Sequence, residues 1–182
     1  MYFPCGSNSL KLFFASSSAF SSLDSLVRSN PALASDFINH LSKVYRYVLD
    51  HNEKEVVSLD TELGFIQHYI SLLNIRYGKA LKVELCISEG AKERGVVMVT
   101  LQMLIDNAIK HNIVHEQQPL LIQIKEEGQY LCVINNKQIK KQLEPSNRQG
   151  LQQLKQLYQY LSDEPVIIED AEGKFSVKLP FL

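Results

Sequence analysis

The chain has no excess of either charge: 19 Lys+Arg stand against 20 Asp+Glu in 182 residues, a formal net charge of −1. A broad nucleic-acid surface needs a clear positive excess, so no nucleic-acid partner is expected. Cysteine is scarce. Cys5, Cys86 and Cys132 are odd in number, far apart and without a CxxC pair. They fit reduced thiols in a cytoplasm better than a disulfide framework or a zinc site. No apolar run approaches the ~20 residues of a membrane-spanning helix. "MYFPCGSNSLKLFF" lacks the basic start and long apolar stretch of a signal peptide. The expected location is the cytoplasm, either as a soluble chain or as the soluble part of a membrane-anchored protein, with no membrane contact by this segment.

A hydrophobic content of 45% supplies a real core. The length suits one domain, or a small domain with an appended helical piece. Apolar residues from Leu10 to Val27 recur at three- and four-residue spacings, which predicts a helix. "SNP" at 29–31 ends it and starts another, with Asn30 as cap and Pro31 in the first turn. The stripe Leu33, Phe37, Leu41, Val44, Tyr45, Val48 marks that second helix. Two such helices form an antiparallel hairpin, either packed within one molecule or serving as a dimerisation module.

After the polar break "HNEKEVV", a third helix is predicted from Ser58 or Asp60 to a stop at Gly78. Period-two alternation in "LKVELCIS" (81–88) predicts a strand, followed by a loop with Gly90 and Gly95. A helix spans roughly 100–113. Two strands, "PLLIQIKEEG" and "QYLCVINN", meet at a Glu127-Gly128 turn, and a helix over 151–161 precedes a closing hairpin around "AEG". The fold class is therefore α+β: a helical hairpin followed by a two-layer α/β sandwich with a largely antiparallel mixed sheet. We divide it at residue 57, with 1–57 as the hairpin and 58–182 as the sandwich.

"LIDNAIKHN" (104–112) crowds Asp106, Asn107, Lys110, His111 and Asn112 into one helix end. Asp106 and Lys110 lie one turn apart, as do Asn107 and His111. An Asn carbonyl can coordinate Mg²⁺, and Lys and His can hold phosphate oxygens. The plainer alternative is a solvated helix end with an Asp–Lys pair and a cap at Asn112. His51, His68 and His115 share no metal-ligand spacing with carboxylates or cysteines, so ordinary roles are expected of them.

"LQMLIDNAIKHN" resembles the N box of the Bergerat-fold (GHKL) ATPases, in the form found in the LytS-like sensor histidine kinases, approximately LQ-x-L-V-E-N-A-I-K-H. "ALASDFINHLSKVYRYVL", "VSLDTELGFIQHYISLLNIRYG" and "FSVKLPFL" also resemble that family's segments, in the same order, so the likeness spans about residues 20–182. The resemblance implies two-component signalling: ATP and Mg²⁺ as cofactors, a homodimer through the N-terminal helices, and a response regulator or partner kinase. Asn107 would be the metal ligand, Lys110 and His111 would face phosphate, and Asp106 would stand for the usual Glu. Met103 lies where water-activating relatives have Glu, which disfavours hydrolysis by a positioned base.

Other boxes depart from the pattern. Where D-x-G-x-G is expected the chain reads "VINNKQIKK", with Asn135 near the Asp position and Lys137 and Ile139 in place of glycines. Where G-x-G-I-G-L is expected it reads "SNRQGLQQL", keeping Gly150 but carrying Asn147 and Arg148 upstream. The family's phosphoacceptor histidine in N-P-H-F-L-F-N aligns with Phe14, which has no nitrogen nucleophile, so autophosphorylation there is excluded. His40 is the first histidine of the chain, on what reads as a helix surface. The expected function is thus a degenerate histidine kinase region, with a non-catalytic dimerisation or docking module as the alternative.

Overall fold

The computed structural model describes residues 17–51, 54–140 and 149–182. Helix α1 (Ser17–Ser29) and helix α2 (Pro31–Asp50) meet at Asn30, whose side chain accepts a hydrogen bond from the Leu33 amide at 3.1 Å. The predicted cap and Pro31 start are therefore in place. Residues 10–16 of the predicted first helix lie outside the described residues. The α2 stripe is corrected at one position. Tyr45 is 38% exposed and Tyr47 is buried instead, because the Tyr47 hydroxyl has a partner inside the core.

Helix α3 (Leu59–Tyr77) packs lengthwise on α2. Ser58 caps its start by accepting from Thr61 N, and Gly78 ends it with φ +52, a conformation that favours glycine. Two short strands on either side were not expected. Strand β1 (Val56–Ser58) pairs antiparallel with β3 (Gly95–Val97), segments read from sequence as a polar break and a loop. Gly95 also exchanges both backbone hydrogen bonds with Leu182, and a Cβ there would stand 2.7 Å from the Leu182 carbonyl oxygen. Close backbone approach is what this glycine permits.

Strand β2 (Leu81–Cys86), helix α4 (Thr100–His111), strands β4 (Leu120–Glu127) and β5 (Tyr130–Asn136), helix α5 (Gln149–Leu161), and strands β6 (Ile167–Ala171) and β7 (Lys174–Pro180) complete the chain. The five-stranded sheet runs β2-β4-β5-β7-β6. Only β2–β4 is parallel, so the sheet is mixed and mainly antiparallel as expected. The β4–β5 turn falls at Gly128-Gln129, since β4 continues through Glu127.

Alternate residues of the strands (Leu120, Ile122, Ile124, Leu131, Leu179) are fully buried against the helices. They join one cluster with Phe37, Val44, Ile66, Ile105 and Tyr158. On the opposite face, Glu127 meets Lys125 at 2.7 Å and Lys178 at 3.0 Å. Among the described residues, no helix is long and apolar enough to cross a membrane.

One carboxylate is completely buried. Glu62 on α3 accepts from Tyr47 Oη at 2.7 Å, Val99 N at 3.0 Å and Leu101 N at 3.1 Å. Burial pushes its carboxyl upward, against the pull of those three donors and the nearby His51. Removing it leaves three buried donors without an acceptor. Glu62→Ala is expected to lower the unfolding free energy by about 3 kcal/mol or more, and Tyr47→Phe by about 1 kcal/mol. Urea denaturation measures both, and a Glu62→Ala protein as stable as wild type would contradict this role.

Candidate functional site

Helix α4 carries most of the residues expected to bind nucleotide. Its N-cap is Val99, at φ +64, with no capping side chain of its own. A β-branched residue in the left-handed region is strained. Glu62 supplies the missing cap from α3 by accepting from Val99 N and Leu101 N. The inner side of α4, with Leu101, Leu104, Ile105 and Ala108, is buried, and the helix packs on β4 and β5.

The C-terminal end is held as closely. Helix α4 stops at His111, two residues short of the expected limit. Asn112 is 4% exposed. Its Nδ2 donates to Ala108 O at 2.8 Å and its Oδ1 accepts from Gln138 N at 2.7 Å. The expected cap is thus present, and it also fastens the helix to the segment after β5. Lys140 Nζ donates to the carbonyls of Ile109 and Lys110, both at 3.1 Å. A cation at those last carbonyls complements the helix dipole.

The structure separates the polar residues of α4. Asp106 faces α3, where Tyr69 Oη donates to its carboxylate. Burial raises the Asp106 pKa to about 6, opposed by Tyr69, Gln102 and the charge of Arg76. Tyr69 is itself held well above the usual tyrosine range by burial and by Asp106. Asn107 and His111 are half-exposed and Lys110 is exposed, on the side of the helix that continues from Met103. Gly150, in the first turn of α5, lies over that side: a Cβ there would sit 3.8 Å from Met103 Sδ. Asn107 therefore lies one turn beyond the contact between α4 and α5.

Asn135 is 5% exposed on β5, and its Nδ2 donates to Asn136 O at 2.7 Å. Lys137 reaches away to Asp170 Oδ1 at 2.7 Å and Ala171 O at 3.2 Å. Phe14, Asn147 and Arg148 lie outside the described residues. A cleft beside the end of α4 is lined by Ile113, His115, Gln117, Gln118, Lys137, Gln138 and Ile139. None of the six residues expected to hold nucleotide lines it.

Sequence reasoning missed Glu62, Tyr69 and Lys140. Glu62 had a signal: it interrupts the apolar series Leu59, Leu63, Ile66 on one face of α3. Lys140 had none, because its partners are backbone carbonyls 30 and 31 residues away.

The raised pKa of Asp106 gives a pH prediction. The folded state holds this proton more tightly than the unfolded chain, so the group favours folding below about pH 4 and loses that contribution as pH rises through about 6. Asp106→Asn is expected to be more stable than wild type at neutral pH, by at most about 3 kcal/mol, with the difference vanishing toward pH 4. Denaturation curves across that range provide the check, and a pH-independent difference would contradict the assignment.

Residues 18–81, from α1 to the first residue of β2, match the family model described as Histidine kinase. Over 109 residues the chain is 34% identical to Sensor protein kinase HptS of Staphylococcus aureus (strain USA300), covering 60% of this chain and 21% of that protein. The same match recurs in strain NCTC 8325 / PS 47. The chain thus spans about a fifth of the length of these relatives. Among solved structures, the cytoplasmic segment of histidine kinase QseC is 17% identical, covering 72% of this chain and 80% of that one with a TM-score of 0.48. Acinetobacter baumannii histidine kinase AdeS is 13% identical over 96% and 92%, with a TM-score of 0.45. Residues 18–81 are thus similar to the histidine kinase family model, and over 109 residues the chain is homologous to a sensor protein kinase.

Proposed function

We propose that this chain is the kinase region of a two-component sensor that binds Mg²⁺-ATP on the open side of α4 and does not phosphorylate itself at the family's usual position. One observation carries the reading. Asn107, Lys110 and His111 share the outward side of a helix fixed at both ends, by Glu62 at its start and by Asn112 and Lys140 at its finish. Asn107 offers a carbonyl oxygen to the metal, and Lys110 and His111 offer donors to phosphate oxygens. Gly150 lies against Met103, one turn before Asn107. The bound nucleotide would supply a transferable phosphoryl group. Asp106 holds Tyr69, and so positions α4 against α3 from the side away from the phosphates.

Phe14 bears on the acceptor, since a phenyl ring has no lone pair with which to attack phosphorus. Residues 1–57 would then act as a dimerisation and phosphoacceptor-like region and 58–182 as the ATP-binding sandwich. The partner is a second copy together with a response regulator or another kinase. Ile38, Tyr45 and Leu49 on α2 are 46%, 38% and 67% exposed. Helical geometry puts them within roughly 40° of one another. An exposed apolar stripe of this kind suits a helix–helix contact between copies.

The alternative is a docking module without nucleotide. It is favoured by Asn135, which at 5% exposure presents little surface to a base, and by Lys137, drawn off to Asp170. Calorimetric titration separates the two. Mg²⁺-ATP should give saturable heat that Asn107→Ala reduces at least tenfold in affinity, with no phosphohistidine forming on the chain. An absence of heat at millimolar ATP favours the docking module. For the dimer, the double substitution Ile38→Glu, Leu49→Glu is expected to leave a folded monomer by analytical ultracentrifugation. An unchanged mass would contradict the stripe as the contact.

A further inference from the structure

His40 on α2 and His68 on α3 are 28 residues apart in sequence, and their Nδ1 atoms lie 3.2 Å apart. The ring centroids are 5.4 Å apart and the planes are tilted by 44°. Both side chains are partly exposed at the junction of the two helices. We propose that His40 and His68 form a two-imidazole site for a divalent transition-metal ion of the zinc, nickel or copper class, bridging α2 and α3.

The distance carries the argument. An ion bound to two imidazole nitrogens at its usual bond length, with a near-tetrahedral angle, holds those nitrogens about 3.3 Å apart. The observed separation needs almost no movement of either helix. Without an ion, this contact requires one ring to donate to the other, so at least one Nδ1 carries a lone pair aimed at its neighbour. Burial, Lys43 and His40 all hold the His68 proton affinity below the usual histidine range, so its lone pair is available at neutral pH. Imidazole suits this class of ions, whereas magnesium and calcium prefer oxygen ligands.

Among the described residues no third His, Cys, Asp or Glu joins the pair, so water completes the coordination and affinity is moderate. The charge of Lys43 faces His68 and opposes an incoming cation. The expected effect is a clamp across two helices within the segment that matches the histidine kinase model. This site is separate from the α4 nucleotide reading and does not depend on it.

The test uses the full chain and Zn²⁺ or Ni²⁺ alone. At about pH 7.5 the melting temperature should rise with metal concentration and saturate at a ligand-linked shift. In more acidic buffer, where protons compete with the metal for imidazole nitrogen, the shift should be at least tenfold less sensitive to metal. His40→Gln and His68→Gln should each abolish it while melting near wild type without metal. Lys43→Gln should strengthen binding, which loss of packing alone would not do. Visible absorption of bound Co²⁺ reports nitrogen ligation directly and serves even if a histidine variant folds poorly. A wild-type response retained by either histidine variant, or no saturable response in the wild type, overturns the proposal.

Discussion

The architecture depends on a carboxylate in a place where water cannot reach. Glu62 carries its charge into the core, and an isolated charge there costs several kcal/mol. Three donors arranged around it offset that cost: a phenol from α2 and two main-chain amides from the start of α4. The arrangement ties three separate helices to one group. The two hydrogen bonds to Glu62 offset the strain of the left-handed backbone at Val99, whose N–H and that of Leu101 meet the same carboxylate. Tyr47 is fixed in turn by stacking on Phe65, with ring centroids 4.3 Å apart.

Fixing the start of α4 sets the rotation of everything on it. With Leu101, Leu104, Ile105 and Ala108 facing the sheet, Asp106 must fall toward α3 and Asn107 toward α5. Neighbouring residues on a helix diverge by about 100°. That is why two polar side chains adjacent in sequence enter different surroundings here. Asp106 is held by a buried tyrosine of α3, while Asn107 lies on the side that continues toward Lys110 and His111. One becomes a packing device and the other is left available for a ligand.

The sequence made the long elements readable, because their apolar periods extend over several turns or pairs. The α2 start at Pro31, the α3 limits at Ser58 and Gly78, and both late hairpins followed from local residue chemistry. The β1–β3 pair did not. Three residues are too few for a period, and their pairing spans the whole of α3 and β2. The cluster of polar residues on α4 was legible as a cluster, but its division between two faces was not. That division depends on Tyr69, 37 residues away, and on a cap supplied by another helix. Long-range partners of this kind leave no mark in local spacing. The histidines show the same limit: His40 and His68 have no sequence pattern in common, and only helix packing makes them neighbours.

The single parallel pairing, β2 with β4, has a consequence for the order of assembly. The hairpins β4–β5 and β6–β7 need only two-residue turns to close, and such turns form on the microsecond scale. Strand β2 can join the edge of the sheet only by a crossover that carries β3 and all of α4 with it. Its pairing therefore waits on the longer loop closure. The sheet's free border and the helix with the proposed ligand face are completed in one event. A chain with α4 unseated would retain its hairpins but expose the edge of β4, where a strand of another molecule could pair in place of β2.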